Sequence, residues 1–317
     1  MSSPAGSGRD GGAWQRVEDN VAAIVADARW RIDRSAGSLA VGDVHALDVH
    51  ALRVACKRLR AMWRMLEPGL GVAATRPAER MLGDAAKSLA GQRQAVVLVQ
   101  TLTRLAHKVE KSKDRELAVD LAGRLIAALG VPEAVVRLQR PQSRVLRAAF
   151  DGQEPALAAL PRPPSSEDLL LGILSGVERA RRFGRRADRG LDARLWHRCR
   201  RWVKYEHYQL ELALRPKRRL RLRQHRLERL GVLLGRHQDD FDLEQQLAAS
   251  SAALTLPEPA MVTLFAWRQQ RDAERLLTCV RRQQRRLLAR VEQRFDVLYG
   301  DRCEQLEGWL RSALARA

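Results

Sequence analysis

The sequence predicts an all-α protein built on an internal duplication, and three observations carry that expectation. Apolar residues recur with a period near 3.6 along almost the whole chain. Strand-like alternation, and aromatic or β-branched runs bounded by turns, are scarce. The order of the helical segments then repeats at an offset of about 145–150 residues.

The elements follow from breaks in that period. Residues 1–13 are rich in Gly and Ser and read as a disordered tail, since they carry no apolar stretch of the kind a signal peptide needs. Helices are expected over 14–34, 43–67, 76–108 and 114–129, separated by Pro68-Gly69, by a turn at Lys111/Lys113, and by Gly130 followed by Pro132. The stretch 131–165 collects Pro132, Pro141, Pro155, Pro161, Pro163 and Pro164 and reads as a linker with one short helix. A second series follows over 167–187, 191–214, 217–249 and 258–298, ending in a helix over 302–315. Residues 14–130 and 166–317 therefore form the first and second helical repeats. Four main helices per repeat suit two four-helix bundles or one pseudo-symmetric eight-helix bundle.

Composition narrows the function. The chain of 317 residues is 45% hydrophobic, enough for real cores, and carries a formal net charge of +20. Such a surplus implies a polyanionic partner: nucleic acid, an anionic membrane or a phosphate polymer. A GC-rich genome explains the choice of Arg over Lys, 50 against 7, but not the net excess. Cys56, Cys199, Cys279 and Cys303 are far apart and form no C-x-x-C pair, which argues for a reducing compartment and against structural zinc. The longest uncharged apolar runs, 95–103 and 169–177, are about half the roughly 20 residues of a spanning helix. A cytoplasmic protein without a membrane partner is expected.

The most informative feature is the motif H-x-x-R-x-x-x-K, present as His50/Arg53/Lys57 and again as His197/Arg200/Lys204. With so few lysines, finding one at the same place in both copies is not compositional drift. At about 100° per residue, His50, Arg53, Lys57, Arg60 and Arg64 fall within an arc of about 80°, opposite Leu52, Leu59, Met62, Trp63 and Leu66. One face thus packs into a core while the other carries a stripe of charges about 5 Å apart, which repel one another unless anions neutralise them. In the second copy His197, Arg200, Lys204 and His207 keep the spacing, Arg201 and Tyr208 flank it, and Glu211 replaces the equivalent of Arg64. That carboxylate either pairs with a neighbouring arginine or ends the track. Any single stripe can be a solvated face; two with one spacing weaken that explanation. Between Glu178 and Arg236, moreover, 20 Lys/Arg face only 6 Asp/Glu.

The segments Val49–Ala61 (VHALRVACKRLRA) and Trp196–His207 (WHRCRRWVKYEH) resemble the CHAD family, the conserved histidine α-helical domain. Leu89–Gln94 (LAGQRQ) and Leu233–Asp240 (LLGRHQDD) resemble that family's Leu-Gly followed by a basic and an acidic residue, with Gln94 where the first copy would carry Asp and Asp239 keeping it in the second. The resemblance covers about 14–317. It implies two pseudo-symmetric four-helix bundles whose basic faces meet in a central groove or pore that binds inorganic polyphosphate. It also implies association with polyphosphate granules and, as no strand-rich segment is present, a stand-alone member. The expected binding residues are the two stripes with Arg93, Arg201 and His237 beside them, joined by Lys217, Arg218 and Arg221 from the basic stretch.

The chemistry suits such a ligand. Arg grips two oxygens at once and Lys acts as a rotatable point charge, so a mixed stripe can follow a sliding polymer without one register. Histidines with a reference pKa near 6.5 would gain charge as the polyanion arrives; the plainer role for each is a neutral helix–helix hydrogen bond. No P-loop, H-E-x-x-H, G-x-S-x-G or buried carboxylate pair suggests catalysis, so no enzymatic activity and no cofactor are expected. Asp239, Asp240 and Asp242 are chemically able to hold Mg²⁺, but amid so many arginines they read as salt-bridge partners, and no metal site is expected. Nucleic acid is the main alternative partner, expected only nonspecifically: aromatics are 5% of the chain and do not interleave with the stripes. An adaptor recruiting granule-associated proteins is the third reading.

Overall fold

The computed structural model describes residues 11–37, 46–89, 91–129, 138, 140–190, 192–215, 217–248, 258–268, 273–300 and 304–316. Among them are thirteen helices and no strand, as the periodicity predicts. They are α1 (Gly11–Gly37), α2 (Ala46–Leu70), α3 (Val72–Ser88), α4 (Gly91–Ala106), α5 (Ser112–Leu129), α6 (Arg140–Asp151), α7 (Gln153–Ala158), α8 (Ser166–Gly190), α9 (Ala193–Ala213), α10 (Arg218–Ala248), α11 (Glu258–Arg268), α12 (Ala273–Tyr299) and α13 (Glu304–Leu314).

Three boundaries differ from expectation. α2 runs through Pro68 and ends only where Gly71 takes φ 87°, a left-handed conformation that Gly adopts without steric cost. Pro68 sits in the last turn, where its missing N–H forfeits one hydrogen bond and the helix survives. The single helix expected over 76–108 is two, α3 and α4. The end of α3 is capped from outside: Arg53 Nη1 donates to the carbonyls of Ala86 (3.2 Å) and Leu89 (2.9 Å), and Gln142 Nε2 donates to Ser88 O (2.7 Å). The stretch 258–298 is likewise divided between α11 and α12.

Of the stretch 131–165 read as a linker, the described helical part is built into the core. α6 buries Leu146, Ala149 and Phe150, and packs on α3 and α1. Buried Gln153 at the start of α7 accepts from Trp63 Nε1 at 2.7 Å and donates to Ala149 O at 2.6 Å. Pro141 and Pro155 lie in first turns, where a helix tolerates Pro; Pro161, Pro163 and Pro164 mark irregular chain, and Pro132 lies outside the described residues.

Buried apolar side chains form two clusters, and these do not divide at the repeat boundary. One combines α1–α3, α6, α8, α9, the first part of α10, the second half of α12, and α13. The other joins α4, α5 and α11 to Leu243 and Leu247 of α10 and Leu276 and Val280 of α12. α10 and α12, of 31 and 27 residues, are long enough to run through both. Within the first cluster α2 packs on both α8 and α9. The α2–α8 contact is backbone-close, since a Cβ on Gly172 would run into the Met65 carbonyl. The two copies of the motif thus share one core.

Candidate functional site

α2 and α9 meet directly. Gln209 Nε2 donates to Ala61 O at 3.0 Å, and Arg58 pairs with Glu211 at 2.8 Å, so the carboxylate that breaks the second stripe is answered by an arginine of the first motif helix. His50 and His197 stand 147 residues apart, which makes Gln209 the counterpart of Met62. The helices touch near equivalent positions.

The sequence-predicted residues separate into groups. His50, His197 and Arg201 are exposed, while Arg53, Lys57, Arg200, Lys204 and His207 are half-buried. Desolvation lowers the His197 pKa, and Arg201, Arg200 and Lys57 lower it further against a hydrogen bond with Gln238. The effect of Lys57, from α2, is the smallest of these. Burial likewise lowers the Lys204 pKa, with Arg200 adding to it and Glu228 opposing. His207 is lowered by burial and by Lys204, against Glu211 and a hydrogen bond to the backbone of Gln224.

The seat for this locus is α10. A Cβ on Gly231 would lie 2.9 Å from Lys204 Cε, and one on Gly235 would lie 3.0 Å from Arg200 Nη2. Four residues apart, these glycines share a face and leave a smooth bed on which both side chains lie. Arg53 plays the corresponding part on α3 by docking on its C-terminal carbonyls.

Arg60 and Arg64 are already matched. Glu79 of α3, 3% exposed, takes Arg60 Nη2 at 2.7 Å and Arg64 Nη2 at 3.2 Å. Glu67 takes Arg64 at 3.1 Å and Arg76 at 2.7 Å. Burial raises the Glu67 pKa, but the hydrogen bond from Arg76 and the charges of Arg64 and Arg179 outweigh it and leave the pKa lowered. The first stripe is thus neutralised internally along its C-terminal half. Tyr205 of α9 lies beside Arg60 and Arg64.

Other expected residues stand apart. His237 is 6% exposed and lies behind the surface, with a pKa lowered by burial. Lys217 and Arg218 line a cavity of about 620 Å³ with Trp309 of α13 and Arg316 just beyond it. At 1.5 Å per residue, Arg218 lies about 20 Å along α10 from Gly231. Arg221 is exposed on the same stretch, and Arg93 has only its backbone among the described residues.

Of the three aspartates, Asp240 pairs with Arg104 at 3.1 Å, Asp239 approaches the same arginine at 3.7 Å, and Asp242 accepts from Gln238 at 2.7 Å. Burial pushes the Asp240 carboxyl up to about 6, against the pull of Arg104 and Lys108. Among the described residues no group of three or more His, Cys, Asp or Glu can hold a metal ion. Sequence reasoning missed Arg104 and Lys108, which act on Asp240, with Arg236 and Arg290 acting in turn on Lys108. Their only local signal was the spacing of four between Arg104 and Lys108 and between Arg236 and Asp240.

Residues 34–249 match the CHAD domain family, and the chain belongs to it. The match runs from the end of α1 through α10, so it holds both motif helices and their partners α3 and α10. No curated protein and no solved structure matches the chain. The family is associated with polyphosphate binding and is known mainly as a binding domain. No described helix is long and apolar enough to cross a membrane.

Proposed function

We propose that this protein binds inorganic polyphosphate, without turning it over, at the locus where α2 and α9 meet. The carrying observation is the direct packing of the two motif helices, Gln209 on the Ala61 carbonyl and Arg58 on Glu211, which sets the two copies of the motif side by side. A linear anion would run over His50, Lys57, His197, Arg201, Arg200 and Lys204, with Arg53 holding α3 in place. This surface is narrower than the sequence suggests, because Arg60 and Arg64 are engaged by Glu79 and Glu67.

Electrostatics supports the reading. His197, His207 and Lys204 are held below their ordinary pKa values by desolvation and by neighbouring cations, a repulsion that a bound anion would relieve. A flexible phosphate chain suits a locus that mixes bidentate guanidinium groups with amine and imidazole. A non-catalytic cytoplasmic protein at polyphosphate granules is the corresponding biological setting.

The test is equilibrium competition among long-chain polyphosphate, short oligophosphates and single-stranded DNA at matched charge. Polyphosphate should win, with affinity falling steeply as salt rises because bound cations displace condensed counterions. Equal affinity for DNA would make the protein a general polyanion binder.

A further inference from the structure

α12 carries a third cationic stripe that the repeated motif does not include and that lies outside the family-matched residues. Arg282, Arg286, Arg290 and Arg294 follow at intervals of four, along one flank of the helix for about 18 Å. Elsewhere the chain pairs such arginines within the helix, as Asp27–Arg31, Asp120–Arg124 and Glu307–Arg311 show. Midway along the stripe the acids lie on the other flank, where Glu292 is near Asp188 of α8 and Asp296. Arg286 has only a distant, exposed ion pair with Glu110 (3.9 Å). Arg282, Arg290 and Arg294 have no carboxylate within ion-pair distance among the described residues. Like charges four apart destabilise a helix, so this segregation implies a counter-charge from outside.

The stripe is bordered by further cations. Arg282 and Arg286 line a cleft with Lys108 and Lys111, and Arg294 lines another, of about 210 Å³, with Arg226 of α10. Between them Arg290 and Arg236 both act on the Lys108 amine, whose pKa is lowered first by burial and then by these neighbours, against Asp240. The nearby acids Asp114 and Asp240 are paired with Arg275 and Arg104. On α10, Arg226 and Arg236 each point about 140° around the helix from Gly231, which seats Lys204, and so away from the α2/α9 locus.

We propose that this flank of α12, with the cleft it forms against the α4–α5 segment at one end and the cavity it forms with Arg226 of α10 at the other, is a second track for a linear phosphate polyanion, so that one molecule holds two polyphosphate strands, or two reaches of one, and bridges them. This rests on the polyphosphate reading above. The two tracks differ in kind. The first is built of mixed Lys, His and Arg on a glycine bed, while the second is nearly all Arg on an exposed flank, a surface for capture more than for close fit.

The experiment titrates the full-length protein with a short polyphosphate of defined length and records light scattering with long-chain polyphosphate. It compares wild type, Arg282→Gln/Arg286→Gln/Arg290→Gln, and Lys57→Gln/Lys204→Gln. Wild type should bind two short chains and cross-link long ones. The triple variant should bind one short chain with the remaining affinity unchanged, lose cross-linking, and keep its helical circular dichroism. A triple variant with wild-type stoichiometry and scattering overturns the proposal. Wild type with one site, lost only in the Lys57/Lys204 variant, overturns it while leaving the proposed function intact; no binding by wild type removes both. Single-stranded DNA filling the second track as well as polyphosphate would overturn phosphate polymer as its occupant.

Discussion

The Arg200 guanidinium of α9 lies across Gly235 of α10, its Nη2 3.0 Å from the point a Cβ would occupy. Gly231 gives Lys204 the same clearance one turn earlier. Two glycines inside a helix forfeit stability, about 0.5–1 kcal/mol each relative to Ala, so their presence here is explained by the space they leave.

Gly231→Ala and Gly235→Ala should therefore separate stability from binding. Each Cβ displaces only the end of a flexible side chain, and helix propensity improves. Melting temperature should hold or rise, while polyphosphate affinity falls by up to about tenfold, equivalent to roughly 1.4 kcal/mol. Thermal denaturation and titration of the same samples check this; unchanged affinity would detach the glycine bed from the site.

Glu79→Gln should act in the opposite sense. Removing the buried carboxylate leaves Arg60 and Arg64 without their main partner, and breaking a buried pair costs about 3–5 kcal/mol, less here because both arginines keep solvent contact. The released charge extends the first stripe, so polyphosphate should bind more tightly and recover more melting temperature in the variant than in wild type. Equal recovery in both would show that these arginines stay out of reach of the ligand.

The histidines give a pH signature. Desolvation and the charges of Arg201, Arg200 and Lys57 hold His197 low, and burial with Lys204 holds His207 low, so the folded chain binds fewer protons than the unfolded one. Their contribution to stability is complete above the ordinary value near 6.5 and is lost as pH falls through the lowered folded values. Asp240 works the other way: raised to about 6, it favours the fold as pH drops from there toward its ordinary value. A bound polyanion should return protons to His197 and His207. Calorimetry in buffers of different ionisation enthalpy should show proton uptake on binding near pH 6.5, reduced in His197→Gln. Binding with no proton uptake would assign the histidines to packing.

The fold class was legible because it rests on local periodicity, and the two motif helices were legible because one spacing is repeated twice. The limits of the site were not. Glu79 neutralises Arg60 from 19 residues away, and no sequence rule joins a carboxylate on one helix to an arginine on the next. His237 belongs to a motif resembling the family's, yet its side chain turns inward, a matter of helix rotation set by packing. α6 was hidden by flanking prolines that lie in its first turn or beyond it. The α12 stripe was written plainly at intervals of four but fell outside the repeat that drew attention. The two-cluster core depends on α10 and α12 being long enough to serve both, which helix-by-helix reading does not weigh.

The central claim is that both motif copies serve one polyphosphate site, and charge reversal at their equivalent lysines tests it most directly. Lys57→Glu, Lys204→Glu and Lys113→Glu should be titrated with polyphosphate under one salt condition. Lys113, exposed on α5, is the control; Lys111 is unsuitable because it lines the cleft beside Arg282 and Arg286. Lys57 and Lys204 should show similar losses, about tenfold or more each, with a small loss at Lys113 and unchanged helical content in all three. A loss at Lys113 as large as the other two would mean that total charge does the binding, and a loss at only one motif lysine would mean that the two copies do not share a site.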